Sequence, residues 1–370
     1  MNAARVAVLA VGAALLAANT AGVISVLIVP RSASGIVIAP MRGVRAAFRR
    51  LARLARTYPA KDRILAISEP VALVVLLASW LAVAVVGFTL VNWGMGTSTL
   101  DQAFSEAGSS VFTLGFTLGH NAGSHVVDFV AAATGLVLVA LQIAYLPTIY
   151  SAYNRRETLV TLLESRAGAP AWGPELLIRH QMVGLIDNLP SLFAEWERWA
   201  ADVAESHTSY PSLLYLRSPR PRNSWVISLL AVMDAAAIAQ AVDPDGAPIE
   251  ARMLLRMGFT CLREIAQVTG IPFDPDPSPD DPILLPELEF VTAYTRLTDI
   301  GYPATRTDEE AWSHFRGWRV NYEGVAYALA SALHAPPARW SGPRTLFEAE
   351  SLEPSRPTDR QPTAGRDARS

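Results

Sequence analysis

Side chains able to do covalent or metal chemistry are few in this chain and poorly placed for it. A single cysteine, Cys261, excludes an intrachain disulfide and any Cys-based metal site; it reads as a small buried hydrophobe. Six histidines are scattered, with no H-E-x-x-H or tight His/Asp cluster. No Walker loop, G-x-G-x-x-G or G-x-S-x-G occurs. Glu195 and Glu197 share a Trp-rich segment that offers neither nucleophile nor metal ligands. The stretch "IPFDPDPSPDDPILLP", Ile271 to Pro286, resembles a calcium loop but lacks the EF-hand glycine and the bidentate Glu. It reads as a stiff acidic connector. The chain is therefore expected not to be an enzyme, and to hold no metal, organic cofactor or nucleic acid. What remains is main-chain chemistry. "SSVFTLGFTLGHN", Ser109 to Asn121, is rich in Ser, Thr and Gly, carries no Lys or Arg, and lies between two long apolar runs. His120 and His125 beside it read as surface-loop histidines.

The apolar runs that flank this stretch set its surroundings. Of 370 residues 51% are hydrophobic and 18% charged, a low charge content for a soluble protein. Three runs are long enough to span a bilayer, which takes about 20 apolar residues: Val6 to Val29, Val71 to Trp93 and Val126 to Tyr150. A fourth, Trp225 to Val242, contains Asp234 and Gln240. A charge at a span centre costs about 2.5–3.5 kcal/mol, so this run reads as the core of a soluble helical domain. Residues 31–63 carry eight arginines and Lys61 against Asp62 alone, whereas residues 94–124 hold Asp101 and Glu106 and no basic residue. The positive-inside rule then places the first loop in the cytoplasm and the second outside, with Arg155 and Arg156 marking the return. The first run also has the look of a signal peptide. Its removal would strand the basic loop outside, so retention is expected.

Within the basic loop, Met41 to Thr57 separates Val44, Ala47, Phe48, Leu51, Leu54 and Ala55 from Arg42, Arg45, Arg49, Arg50, Arg53 and Arg56 around a helix. Such a helix suits the inner membrane interface, with its arginines among anionic lipid headgroups. Beyond Tyr153 the third span is expected to continue as a helix to Gly168. Helical patterns follow at about 175–206, interrupted at Pro190, then 224–242, 248–269, 285–300 and 307–334. The tail from about Ser351 has almost nothing to bury and reads as disordered.

From Leu100 to about Phe112 a short helix with Ala103, Phe104, Ala107, Val111 and Phe112 on its apolar side leads into Thr113-Leu114-Gly115-Phe116. Non-helical backbone at membrane depth is tolerated only when buried in protein or lining a water-filled cavity. The order of outer helix, short helix, T-L-G-F and inner helix, over about residues 68–156, resembles the two-helix pore module of the tetrameric potassium-channel superfamily. There the signature is T-V-G-Y-G, whose stacked carbonyls replace the hydration shell of the ion. The resemblance implies a selectivity filter at Thr113, Leu114, Gly115, Phe116 and Thr117 and a gating hinge at Gly135 or Pro147. It also implies K⁺ as permeating ion and assembly as a homotetramer. Thr134, Leu138, Leu141, Tyr145 and Thr148 follow helical spacing and are candidates to line the cavity. Gln142 would line it too or bond to a neighbouring helix. The sequence departs from the signature at Thr117, where the family has its second glycine, and at Leu118, where it usually has Asp; Gly119 is a candidate to supply the turn instead.

The expected architecture is an all-α membrane protein: three transmembrane helices with a re-entrant pore helix, followed by a cytoplasmic α-helical domain. Its parts are a first transmembrane helix (1–30), a basic segment with the interfacial helix (31–67), a pore-module-like hairpin (68–156), the cytoplasmic helical domain (157–345) and a disordered tail (346–370). The expected function is a cation channel of potassium-channel type in the plasma (inner) membrane, gated by the cytoplasmic domain. The alternative is a non-conducting membrane-anchored sensor or scaffold with a degenerate pore fold.

Overall fold

The computed structural model describes residues 3–27, 39–96, 99–119, 121–344 and 352–355. They form twelve α-helices and two 3₁₀ turns, with no strand among the described residues. Four helices are long and apolar enough to cross a membrane, as expected of a multi-pass membrane protein: α1 (Ala3–Leu27), α3 (Tyr58–Met95), α5 (Ala122–Ala167) and α8 (Trp225–Val242).

The chain divides into two compact units. The first takes the residues up to Arg56, Ala60–Tyr153 and Ser209–Leu216. In it α1 runs antiparallel to α3 along a seam of glycines. A Cβ at Gly12 would lie 2.8 Å from the Gly87 carbonyl oxygen, and one at Gly94 would lie 2.8 Å from the Leu9 nitrogen. Small residues let two backbones approach this closely, which is how apolar helices associate when no hydrophobic drive separates them from lipid. Asn19 adds a hydrogen bond to the Trp80 carbonyl, 3.1 Å. The helix α2 (Ala39–Ala52) turns Met41, Val44 and Ala52 toward the unit's core. Leu51 and Leu54, expected on the same apolar arc, stay exposed.

The short helix α4 (Leu100–Val111) begins at a capping box, in which Thr99 accepts from the Gln102 N–H and Gln102 from the Thr99 N–H. Asp101 sits in its first turn, where the helix dipole favours an anion. Its Ala107 and Val111 pack against Val85 and Phe88 of α3 and Ala131 of α5. The helix α5 is unbroken from Ala122 to Ala167 and carries Pro147 inside it. It ends at Gly168, whose φ of 80° gives the left-handed turn a helix end favours. A segment from far along the sequence completes the unit: in the 3₁₀ turn Pro211–Tyr215 and the residue after it, Leu213 and Leu216 join Leu73, Leu76 and Tyr145 in one core cluster.

The second unit takes Thr57–Pro59, Asn154–Thr208 and the residues from Arg217 on. It adds α6 (Gly173–Met182), α7 (Leu189–Ser209), α9 (Ile249–Thr269), α10 (Glu287–Asp299), α11 (Asp308–Arg319) and α12 (Glu323–Ala332) to the end of α5 and to α8. The break expected at Pro190 falls just before it, over residues 183–188, because proline suits the first turn of a helix. The run expected at 307–334 is two helices, broken at Val320–Tyr322. Of the tail expected to be disordered, Leu352–Ser355 are held in place. The Ser355 N–H donates to the Ala169 carbonyl, the Ala169 N–H to the Ser355 hydroxyl, and Arg179 to the Ser355 carbonyl. The remainder of that tail lies outside the described residues.

Candidate functional site

The T-L-G-F stretch leaves α4 through a tight helix end. The Leu114 N–H reaches the Ser109 carbonyl at 2.8 Å and the Thr113 N–H the Ser110 carbonyl at 3.0 Å, the paired bonds of a Schellman motif. The residue after the C-cap must then be left-handed, a place that usually goes to glycine. Here it is Thr113, at φ 54°. A β-branched residue held there stores about 1–2 kcal/mol, and such strain persists only where the surroundings impose it. Gly115 repeats the positive φ at 72°, while Leu114, Phe116 and Thr117 keep negative values. The alternation thus covers Thr113 and Gly115 and stops where the family signature has its second glycine. Gly119 does not take over, since its φ is not positive either. Glycine is needed there for space, because a side chain would run into Ser124.

Beyond Phe116 the strand is bonded back to the helices beside it. The Thr117 N–H donates to the Ser109 hydroxyl (3.1 Å), which donates to the Thr117 carbonyl (3.2 Å). Asp128 of α5 is buried and accepts from the Ser110 hydroxyl (2.8 Å) and from the Gly119 N–H (2.9 Å). The ring of His125 bonds to the Gly119 carbonyl, 2.8 Å, so this histidine is part of the clamp. His120 lies outside the described residues. The next turn is closed by Asn121 and Ser124, whose side chains bond each other's backbone across the start of α5. Ser109, Ser110, Ser124 and Asp128 were not singled out from sequence. Asp128 carried a signal: it is the one acidic residue in the run Val126 to Tyr150, and an ionisable group in such a run marks function by default.

The two candidate hinge positions have different surroundings. Gly135 is where α5 crosses the end of α4, and a methyl group there would overlap the Val111 carbonyl oxygen. Pro147 sits exposed on α5. Leu138 and Tyr145, expected to line a cavity, instead face the core beside α3, as spacing alone could not decide on a span apolar all round. Gln142 bonds to the Leu77 carbonyl of α3, 3.1 Å. Leu136, Val137, Val139 and Ile143 are the large apolar residues that this stretch exposes.

The helix expected to run to Thr57 ends at Ala52, so Arg53 and Arg56 lie beyond it, and of the six arginines of the basic segment Arg45 stands apart. Its guanidinium makes two hydrogen bonds of 2.7 Å to Glu69, which is fully buried, and lies 3.7 Å from the Tyr215 ring centroid. It is a structural tie from α2 to α3 and to the 3₁₀ turn. Arg42, Arg49, Arg50, Arg53 and Arg56 remain exposed.

In the second unit, Arg156, expected as a charge marking the return to the cytoplasm, is fully buried. It pairs with Glu157 (2.7 Å), bonds His207 Nε2 (3.0 Å), and its main-chain carbonyl accepts from Trp199. A guanidinium only donates, so Nε2 accepts and the proton sits on Nδ1, 3.0 Å from the Ser206 hydroxyl. Burial, and then the adjacent Arg156 charge, holds the His207 pKa well below the usual histidine value. No cluster of three or more metal-ligating side chains occurs among the described residues.

Compared with family models, curated proteins and solved structures, the chain matches none. Its function is therefore argued from its own residues.

Proposed function

We infer that four copies of this chain surround an axis and pass cations between them, with Thr113 to Phe116 of each copy lining the narrowest part. The observation that carries this reading is helix α4. It is apolar on two sides: Ala107 and Val111 are packed within the chain, while Phe104 and Phe112 are bare, as are Leu114, Phe116 and Leu118 beyond its end. Next to the polar, strained T-L-G-F backbone, a bare apolar face of this kind fits burial against another copy. One copy cannot encircle an ion, so the assembly is a closed homotetramer. The C-terminal end of α4, partially negative, then favours a cation, and the Leu114, Gly115 and Phe116 carbonyls supply its ligands in place of water. K⁺ is the ion the resemblance names. The absence of basic residues over 94–124 removes a barrier to cations.

Gating acts on α5, at Gly135 or Pro147, and is driven by the cytoplasmic helical unit at the far end of the same helix. Arg42, Arg49, Arg50, Arg53 and Arg56 hold anionic lipids at the inner leaflet of the plasma (inner) membrane. A second reading, a non-conducting anchor for a cytoplasmic sensor or scaffold, is favoured by Thr117, whose backbone departs from the alternation. Cross-linking and rubidium uptake into liposomes, beside Gly115→Asp, decide between them. The channel reading expects a tetramer whose uptake Gly115→Asp abolishes. A monomer or dimer would sink it.

A further inference from the structure

The strand after α4 has two halves that treat their carbonyls differently. Among the described residues no hydrogen bond reaches the carbonyls of Leu114, Gly115 or Phe116. The Thr117 carbonyl accepts from the Ser109 hydroxyl, and the Thr117 N–H donates to the same oxygen. Ser109 is buried on α4, so this bond turns the Thr117 peptide toward the helix. Asp128 holds the Gly119 N–H in the same way, which fixes the outer end of the strand to α5. A threonine with negative φ at 117 cannot continue the left-handed alternation of Thr113 and Gly115 without strain.

We propose that Ser109 sets the ion selectivity of this pore by taking the Thr117 carbonyl out of the ion path. This rests on the channel reading above. The path is then built from the carbonyls of Thr113 to Phe116, and its outermost ring is missing. Discrimination between K⁺ and Na⁺ depends on the number and field strength of the carbonyl dipoles around the ion. A path short of one ring dehydrates the ion incompletely and discriminates weakly. Ser109 acts through Thr117 and is a positioning residue; it does not touch the ion.

The test is paired K⁺ and Na⁺ flux into liposomes carrying the full chain, for the wild type and for the double variant Ser109→Ala/Thr117→Gly, with Gly115→Asp as blocked control. The wild type is expected to pass both ions at similar rates. The double variant, freed of the serine bond and able to adopt positive φ, is expected to raise the K⁺/Na⁺ ratio by about tenfold or more. A wild type that already prefers K⁺ by that factor, or a double variant with an unchanged ratio, overturns the role of Ser109 while the channel stands.

A second measurement does not need an open pore: the unfolding midpoint of the purified oligomer in K⁺, Na⁺ and choline. The wild type should be more stable in both K⁺ and Na⁺ than in choline, and equally so. The double variant should be more stable in K⁺ than in Na⁺. A wild type stabilised by K⁺ alone overturns the proposal. Midpoints equal in all three solutions, with no flux, overturn the channel reading on which it rests.

Discussion

Helices α5 and α8 are similarly apolar, with mean hydropathies of 2.2 and 1.8 over their most apolar stretches, yet their surroundings are opposite. On α5 only 22% of that stretch is buried within the protein; on α8, 94% is. The difference lies in what surrounds them in sequence. The helices α6, α9, α11 and α12 pack against α8 and together enclose it. Against the spans of the first unit there are too few such helices to cover them. Asp234 follows the same logic. In lipid it would be a liability; in the bundle it is fully partnered, by Arg319 at 2.7 Å and by the Tyr322 hydroxyl at 2.8 Å. An apolar helix is therefore assigned to lipid or to protein by its neighbours and by the company of its charges. Its own hydropathy does not decide.

The sharpest way to break that contrast is to remove the cation. Arg319 is fully buried and also pairs with Glu323 at 2.9 Å, so Arg319→Met leaves two carboxylates in the core of the second unit. The expected loss is about 3–5 kcal/mol, read as a lowered midpoint in tryptophan-monitored unfolding of the full chain. An exposed apolar residue on α5, Phe129→Ala, is expected to change the same midpoint by less than about 0.5 kcal/mol. Equal losses from both variants would mean that α8 is not the enclosed helix described here. Arg45→Ala, which strands the buried Glu69 in the first unit, comes next, at about 3 kcal/mol. Arg49→Ala, on the same helix but exposed, serves as its silent control. If the two arginine variants lower stability alike, the Arg45–Glu69 tie carries no weight.

Much of this was legible beforehand. The Asp and Gln in α8, the basic loop, and the apolar spacing of 100–112 each follow from a residue type meeting a solvent it cannot tolerate. The stop of α5 at Gly168 was legible as well, because glycine is free to take the left-handed turn. What could not be read is long-range. Nothing in "SYPSLLYL" says that Leu213 and Leu216 pack beside α3. Nothing local says that Arg45 alone among six arginines turns inward. Ser109 and Asp128 look like helix polar residues until Thr117 and Gly119 are brought beside them.

A smaller effect contrasts the two units by pH. His207 is neutral in the fold and accepts from Arg156, with Glu157 on the other side of that guanidinium and Ser206 on Nδ1. Its folded pKa is depressed, so the unfolded chain binds the extra proton first. The stability it contributes is complete above the ordinary histidine pKa of about 6.5 and declines as pH falls below it, by up to about 1.4 kcal/mol per pH unit. His207→Gln is expected to flatten that slope between about pH 6.5 and 5. If the wild type and His207→Gln change stability along the same slope over this range, His207 contributes none of the pH dependence.

The smallest expected effect is the most discriminating, because the same backbone device occurs in both units. Thr113 ends α4 with a left-handed φ of 54°, and His334 ends α12 with one of 52°. Both complete the same pair of bonds: the His334 N–H reaches the Ser331 carbonyl at 3.1 Å and the Ala335 N–H the Ala330 carbonyl at 2.9 Å. Glycine relieves the steric cost of this conformation and gives back part of the gain as chain entropy. Thr113→Gly and His334→Gly should therefore each stabilise by no more than about 1 kcal/mol. On stability the two substitutions are alike. On ion flux the proposed pore would separate them: with Thr113 at the start of the proposed carbonyl path, Thr113→Gly should lower uptake, while His334→Gly should leave it unchanged. Equal flux in both variants would reduce Thr113 to a helix cap, and the strain it bears would then be an accident of how α4 ends.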